Sequence, residues 1–143
     1  MYEKTDYDSL DTAFRAILNG AQLVANTDLK HAPFRDEKPS LATGAFVKAL
    51  EYSSGKTAYI TGKPNTIFFN QALKKINANK KQTIMIGDNI STDIFGAKKV
   101  GLKAILVKTG SYNEKELKKS VLKPDAVIDS ITDLAEFLQK TKW

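Results

Sequence analysis

Leu10, Ala13, Phe14, Ile17 and Leu18 recur at i, i+3, i+4, i+7 and i+8. That spacing lays them along one face of a helix, which Asn19-Gly20 is suited to end. Residues 22–25 then read as a short buried strand, and the polar stretch 26–40, which holds Pro33 and Pro39, as a long loop. A second helix is expected from about Gly44 to Tyr52, followed by a strand over 57–61 that runs into Gly62-Lys63-Pro64. Asn65 can cap the next helix, whose buried face is expected to hold Phe68, Phe69, Ala72, Leu73 and Ile76.

The run Thr83-Ile84-Met85-Ile86-Gly87 is apolar without alternation, as expected of a strand covered on both faces of a parallel sheet. A helix over about 91–99 follows, stopped near Gly101, then a strand over 103–107 ending at Thr109-Gly110. A short charged helix, a strand over 126–128 and a final helix over about 131–139, capped by Ser130 or Asp129, complete the chain. This alternation of strands and helices predicts an α/β fold with a parallel sheet and right-handed crossovers.

Composition narrows the function. No apolar run approaches the roughly 18 residues that span a bilayer, and the first fifteen residues lack a secretory leader's apolar stretch, so a cytoplasmic protein without a membrane partner is expected. The chain has no cysteine, which excludes disulfides, thiolate catalysis and cysteine-zinc sites together. Its net charge of +6 invites a nucleic-acid reading. The lysines fall instead in short sets, Lys74, Lys75, Lys80, Lys81 and Lys115, Lys118, Lys119, Lys123, with no interleaved aromatic platform. They read as solvated helix faces, and no nucleic-acid partner is expected. A positive field attracts small phosphorylated substrates equally well.

In open α/β sheets ligands bind at the carboxyl ends of the strands, beside helix N-termini. Three polar clusters fall at such ends: Asn26-Thr27-Asp28, Gly62-Lys63-Pro64 and Gly87-Asp88-Asn89-Ile90-Ser91-Thr92-Asp93. Asp88 directly follows a buried strand, where its carboxylate can meet a hard cation such as magnesium, and Asp93 lies in the first turn of the next helix. Taken singly, these aspartates are better read as a helix cap and a first-turn charge that complements the helix dipole, and Lys63 as a solvated surface charge. Their combination in one order is more specific.

The segments GKPNTIFFNQAL, TIMIGDNISTDIFGAKKVG and AILVKTGSY resemble the phosphate-lysine and metal-carboxylate motifs of haloacid dehalogenase phosphatases with a large α/β cap. The likeness is greatest to the 4-nitrophenylphosphatase-like subgroup. ILNGAQLVANTD and LATGAFVKALEYSSGKTAYITGKP are similar to the second half of that subgroup's cap. The resemblance implies the C-terminal half of a cap-like lobe over residues 1–61 and, over 62–143, the C-terminal half of a Rossmann-like core with helices on both faces of its sheet. It implies a magnesium-dependent phosphomonoester hydrolase acting on a small phosphorylated metabolite, with Asp88 as the magnesium carboxylate, Lys63 as the phosphate lysine and Asp93 as a supporting carboxylate. All three are expected at one cleft mouth. Asn89, Asp28 and His31 are implied near the substrate, although for His31 an exposed loop histidine with no such role is the favoured reading.

The family's first strand ends in Asp-x-Asp, the nucleophile and general acid, and this chain shows no match to it. Its only Asp-x-Asp, Asp6-Tyr7-Asp8, follows the polar Tyr2-Glu3-Lys4-Thr5, and Asp8 or Ser9 is expected to cap the first helix. The expected protein is therefore a phosphatase portion without its own nucleophile, inactive alone. The alternative is a noncatalytic phosphate- or metal-binding or assembly module. In the resembled fold the strand at Thr83 lies beside the nucleophile strand. Its edge is thus expected to associate with a second copy or with an N-terminal half, unless the strand over 57–61 fills the vacancy.

Overall fold

The computed structural model describes residues 6–33 and 38–141. The chain forms two compact units, residues 1–62 and 63–143. Its mixed α/β architecture, with parallel sheets and flanking helices, is the class expected.

In the first unit α1 (Tyr7–Leu18) packs on α2 (Thr43–Ser54). Asp6, rather than Asp8 or Ser9, caps α1, its Oδ1 accepting from the Ser9 N–H at 2.9 Å. Only an extended residue just outside the first turn can aim a side-chain oxygen at that amide. Residues 2–5 lie outside the described residues. Strands β1 (Val24–Ala25) and β4 (Tyr59–Ile60) pair in parallel, with Ala25 and Ala58 buried against Val47 of α2. Both strands are shorter than expected, and Val24 and Tyr59, paired across the ladder, are both exposed. The stretch expected to be one long loop holds β2 (His31–Pro33) and β3 (Pro39–Leu41), an antiparallel ribbon with Pro33 opposite Pro39. A two-stranded ribbon leaves each strand one free edge, where a missing N–H breaks no ladder bond.

The second unit carries α3 (Thr66–Lys75), β5 (Ile84–Gly87), a π-helical turn (Ile90–Ile94) running into α4 (Phe95–Lys99), β6 (Lys103–Val107), α5 (Glu114–Lys119), β7 (Ala126–Ile128) and α6 (Leu134–Lys140). Its sheet is parallel, in the order β5-β6-β7. The expected alternation is thus divided between two parallel sheets, one in each unit, and the first unit also holds the antiparallel β2–β3 ribbon. Central β6 is buried on both faces, which explains its unbroken apolar run. Ala104 and Leu106 pack with Phe69 and Leu73 of α3, Ile94 of the π turn and Ala97 of α4, while Ile105 and Val107 pack with Ile128, Leu134 and Phe137. Each β6 methyl or branched chain hidden from water contributes about 1–3 kcal/mol.

Two helices depart from expectation. Asn65 caps α3 as expected, through its Oδ1 and the Ile67 N–H. However, Phe68, Ala72 and Ile76 stay exposed, and only Phe69 and Leu73 of the expected face are buried. The helix expected over 91–99 begins as a π turn, because the Asn89 carbonyl accepts from both Asp93 and Ile94 N–H groups. Ser130 closes a capping box with Asp133 ahead of α6.

Asp125 ties the amino end of β6 to α4: Oδ1 and Oδ2 accept from Lys98 Nζ at 2.9 and 2.7 Å, and Oδ2 also accepts from the Ala104 N–H at 2.8 Å. Burial raises the pKa of this carboxyl, but the Lys98 and Ala104 hydrogen bonds outweigh it and hold the value below the ordinary 3.8. A depressed folded pKa means the unfolded chain binds the proton more readily, so this contribution is complete above the unfolded value and fades as pH falls through the folded one. Asp125→Ala should cost about 1 kcal/mol in urea unfolding at pH 7. The gap between variant and parent should narrow below pH 3.8. A gap that instead widens on acidification contradicts this account.

Candidate functional site

The carboxyl end of β5 carries the polar cluster. Asp93 is the buried charged residue of this unit, its side chain 5% exposed, and Lys63 Nζ lies 2.7 Å from its Oδ1. The contact is a close ion pair rather than an aligned hydrogen bond. Oδ2 accepts from the Asn89 N–H at 3.2 Å. Lys63 keeps 40% of its side chain in solvent, so the pair presents one buried anion and one reachable cation. Its ammonium also stands 6.0 Å from the centre of the Phe68 ring, within the range of a weak cation–π attraction.

Gly87 makes this burial possible. A Cβ there would sit 2.4 Å from Asp93 Oδ2 and 2.5 Å from its Cβ, so the carboxylate occupies the volume a side chain would need. Asn89 holds the turn, its Oδ1 accepting from the Ser91 and Thr92 N–H groups at 2.9 and 3.0 Å. The side-chain oxygen of Asn89 is therefore spent on capping.

Asp88 projects toward the neighbouring strand's loop. Its Oδ2 accepts from the Ser111 N–H at 2.6 Å, and Gly110, at φ 55°, passes so close that a Cβ would lie 2.1 Å from the same oxygen. Gly110 and Ser111 lie within AILVKTGSY, which carries part of the family resemblance, but no site role is expected of either from the sequence. The signal was nonetheless present: Thr109-Gly110 ends β6, and β6 is the strand that a right-handed crossover lays beside β5.

Lys63, Asp93 and Asn89 are thus brought into contact, and Asp88 stands on the same turn with its carboxylate anchored to Ser111. Asp28 and His31 belong to the first unit, where both are exposed. His31 faces Leu41 across the β2–β3 ribbon, and the backbone of Asp28 packs under Gly44 of α2. Among the described residues there is no group of three or more His, Cys, Asp or Glu side chains able to hold a metal by themselves.

The HAD-hydrolase-like family matches residues 60–134. The haloacid dehalogenase-like hydrolase domain-containing protein 2 of Bos taurus is 40% identical over 77% of this chain and 42% of its own length. Among solved structures, a p-nitrophenyl phosphatase from Archaeoglobus fulgidus is 29% identical with a TM-score of 0.84, covering 96% of this chain and 54% of that one. A glycerol phosphate phosphatase from Mycobacterium tuberculosis in complex with magnesium is 25% identical with a TM-score of 0.78, covering 94% of this chain and 40% of that one. The chain spans about half the length of the relatives it matches.

Removing the lysine strands a buried carboxylate. Lys63→Met should cost about 1–3 kcal/mol in urea unfolding, the range for leaving a buried polar group unsatisfied. Lys63→Met combined with Asp93→Asn should cost less than the sum of the single changes. A coupling near zero in that double-mutant cycle marks a pair that is solvated in solution.

Proposed function

The chain belongs to the haloacid dehalogenase-like hydrolases, and on that premise we propose that its second unit is the lysine-carboxylate half of a magnesium-dependent phosphomonoester hydrolase site. The observation that carries this reading is the Lys63–Asp93 pair at the end of β5. A phosphate ester and an attacking carboxylate repel each other, and a fixed cation between them offsets that charge. Asp93 holds Lys63 in one place, and because Asp93 is itself inaccessible it competes poorly with substrate for contact with solvent-facing groups.

The donor set fits magnesium as a shared site rather than a closed one. Magnesium takes hard oxygen ligands, commonly one or two carboxylates, and completes its shell with water and substrate phosphate. Asp88 is the carboxylate to hold it, with one oxygen already oriented by Ser111. When bound, the metal supplies charge neutralisation at the phosphoryl oxygens. Lys63 would face a small phosphorylated metabolite directly. Asn89 acts by holding the turn, and roles for Asp28 and His31 belong to the first unit's cap-like lobe. This sequence shows no match to the family's Asp-x-Asp nucleophile motif, so on this reading the nucleophile is supplied by another segment or chain, or has been lost. Asp6 supports this assignment, since it is committed to the cap of α1. The same commitment favours, as a second reading, a noncatalytic binding module of the same family.

Magnesium and inorganic phosphate titrated into the isotopically labelled 143-residue chain should shift the amides of Gly87, Asp88, Asn89 and Ser111, and Asp88→Asn should abolish the response. Turnover of 4-nitrophenyl phosphate by the chain alone should stay far below the roughly 1 per second of ordinary enzymes. Shifts confined to other residues would refute the half-site, and magnesium-dependent turnover at that rate would show a nucleophile within the chain.

A further inference from the structure

We propose that the amino-end face of the β5-β6-β7 sheet is a docking surface for an anionic lipid bilayer. The three strands are parallel, so the chain enters each of them from the same end of the unit. Residues 74–83 lead into β5, 98–103 into β6 and 118–125 into β7, and these stretches hold four, three and three lysines. The one acidic residue in them is Asp125. At the carboxyl ends the balance reverses: residues 88–93 and 129–136 hold five acidic residues and no lysine, and 108–116 hold two of each sign. In the sequence each lysine set is local. Only the parallel order of the strands brings the three to one end.

Helix stability accounts for part of this charge. The lysine pairs in the last turns of α3, α4 and α5 complement the helix dipoles. Lys98 also binds Asp125, Lys118 binds Glu114, and Lys123 donates to the Leu117 and Lys118 carbonyls. Lys80, Lys81 and Lys103 stand beyond those helix ends and are exposed. The face therefore keeps a positive excess that the helices do not require.

Its apolar residues select the occupant. Ile76 and Val121, 64% and 90% exposed, stand in the connections leading to β5 and β7. Lysines around exposed aliphatic chains fit a surface that is negative outside and apolar just beneath, as an anionic bilayer is. Nucleic acid fits less well, because the three connections hold no arginine and no aromatic side chain to read or stack on bases. Among the described residues no helix is long and apolar enough to cross a membrane, and a face that adsorbs needs none. Two of the three connections lead to β6 and β7, away from the outer edge of β5, and the face lies opposite the end that carries Lys63 and Asp88. Docking there leaves that end open.

Co-sedimentation with vesicles of equal parts phosphatidylserine and phosphatidylcholine should remove the full chain from the supernatant at low salt, and added salt should release it. Vesicles of phosphatidylcholine alone should leave it in solution. Lys99→Gln and Lys119→Gln should each weaken binding about five-fold, whereas Lys115→Gln, which removes the same charge at the carboxyl end, should change it less than about two-fold. Val121→Ser should weaken binding about three-fold through the lost apolar contact. All four positions are exposed, and unchanged circular dichroism melting checks that each variant folds. No capture by the phosphatidylserine vesicles overturns the proposal, and so does an equal loss from Lys115→Gln. Tighter capture by duplex DNA, with Val121→Ser without effect on the vesicles, marks a nucleic-acid face and overturns it as well.

Discussion

A carboxylate taken out of water must be paired or it will not stay charged, and Asp93 imposes that demand on everything around the end of β5. Gly87 yields the space, Asn89 donates its N–H, and Lys63 reaches in from the start of the unit. The π turn belongs to the same arrangement. The Asn89 carbonyl takes two N–H groups, and the wider turn brings the Asp93 side chain back under the strand. One buried charge therefore joins residues thirty positions apart and leaves the lysine as the exposed face of the pair.

Strand β6 carries that arrangement because polar ties hold both of its ends. At the amino end Asp125 accepts from Ala104 and Lys98, and at the carboxyl end the loop after β6 returns Ser111 to Asp88. Between them every β6 residue from Ala104 to Val107 is buried. A strand packed on both faces and fixed at both ends cannot slip register without turning its apolar side chains from one layer to the other. The separation between the β5 turn and the β6 loop, on which the Asp88 contact relies, is thereby set.

Much of this was legible in order and spacing. The stripe of α1, the Asn65 cap, the strand over 103–107 and the placing of Lys63 and Asp93 in one polar cluster all follow from periodicity and turn chemistry. What was not legible depended on tertiary partners. The β2–β3 ribbon is carried by prolines at facing positions, which read as loop because propensity cannot see that the strands are only two. Asp6 was passed over as a cap because Asp8 and Ser9 are chemically as good, and only the first helical dihedral separates them. Gly110 and Ser111 carry no local mark of meeting Asp88, since that contact exists only once β5 and β6 are neighbours.

Helix α3 shows the opposite case, where periodicity calls for more burial than the fold delivers. Its apolar face is wide enough for two layers, and one layer is present. The unused half lies beside the strand that ends at Asp88, so whatever covers it also bears on the site. Direction then matters. A strand laid parallel to β5 brings its carboxyl end, and any acid there, up to Lys63 and Asp88. An antiparallel strand brings its amino end there instead, so of the two directions only the parallel one can carry a strand-end carboxylate to the site.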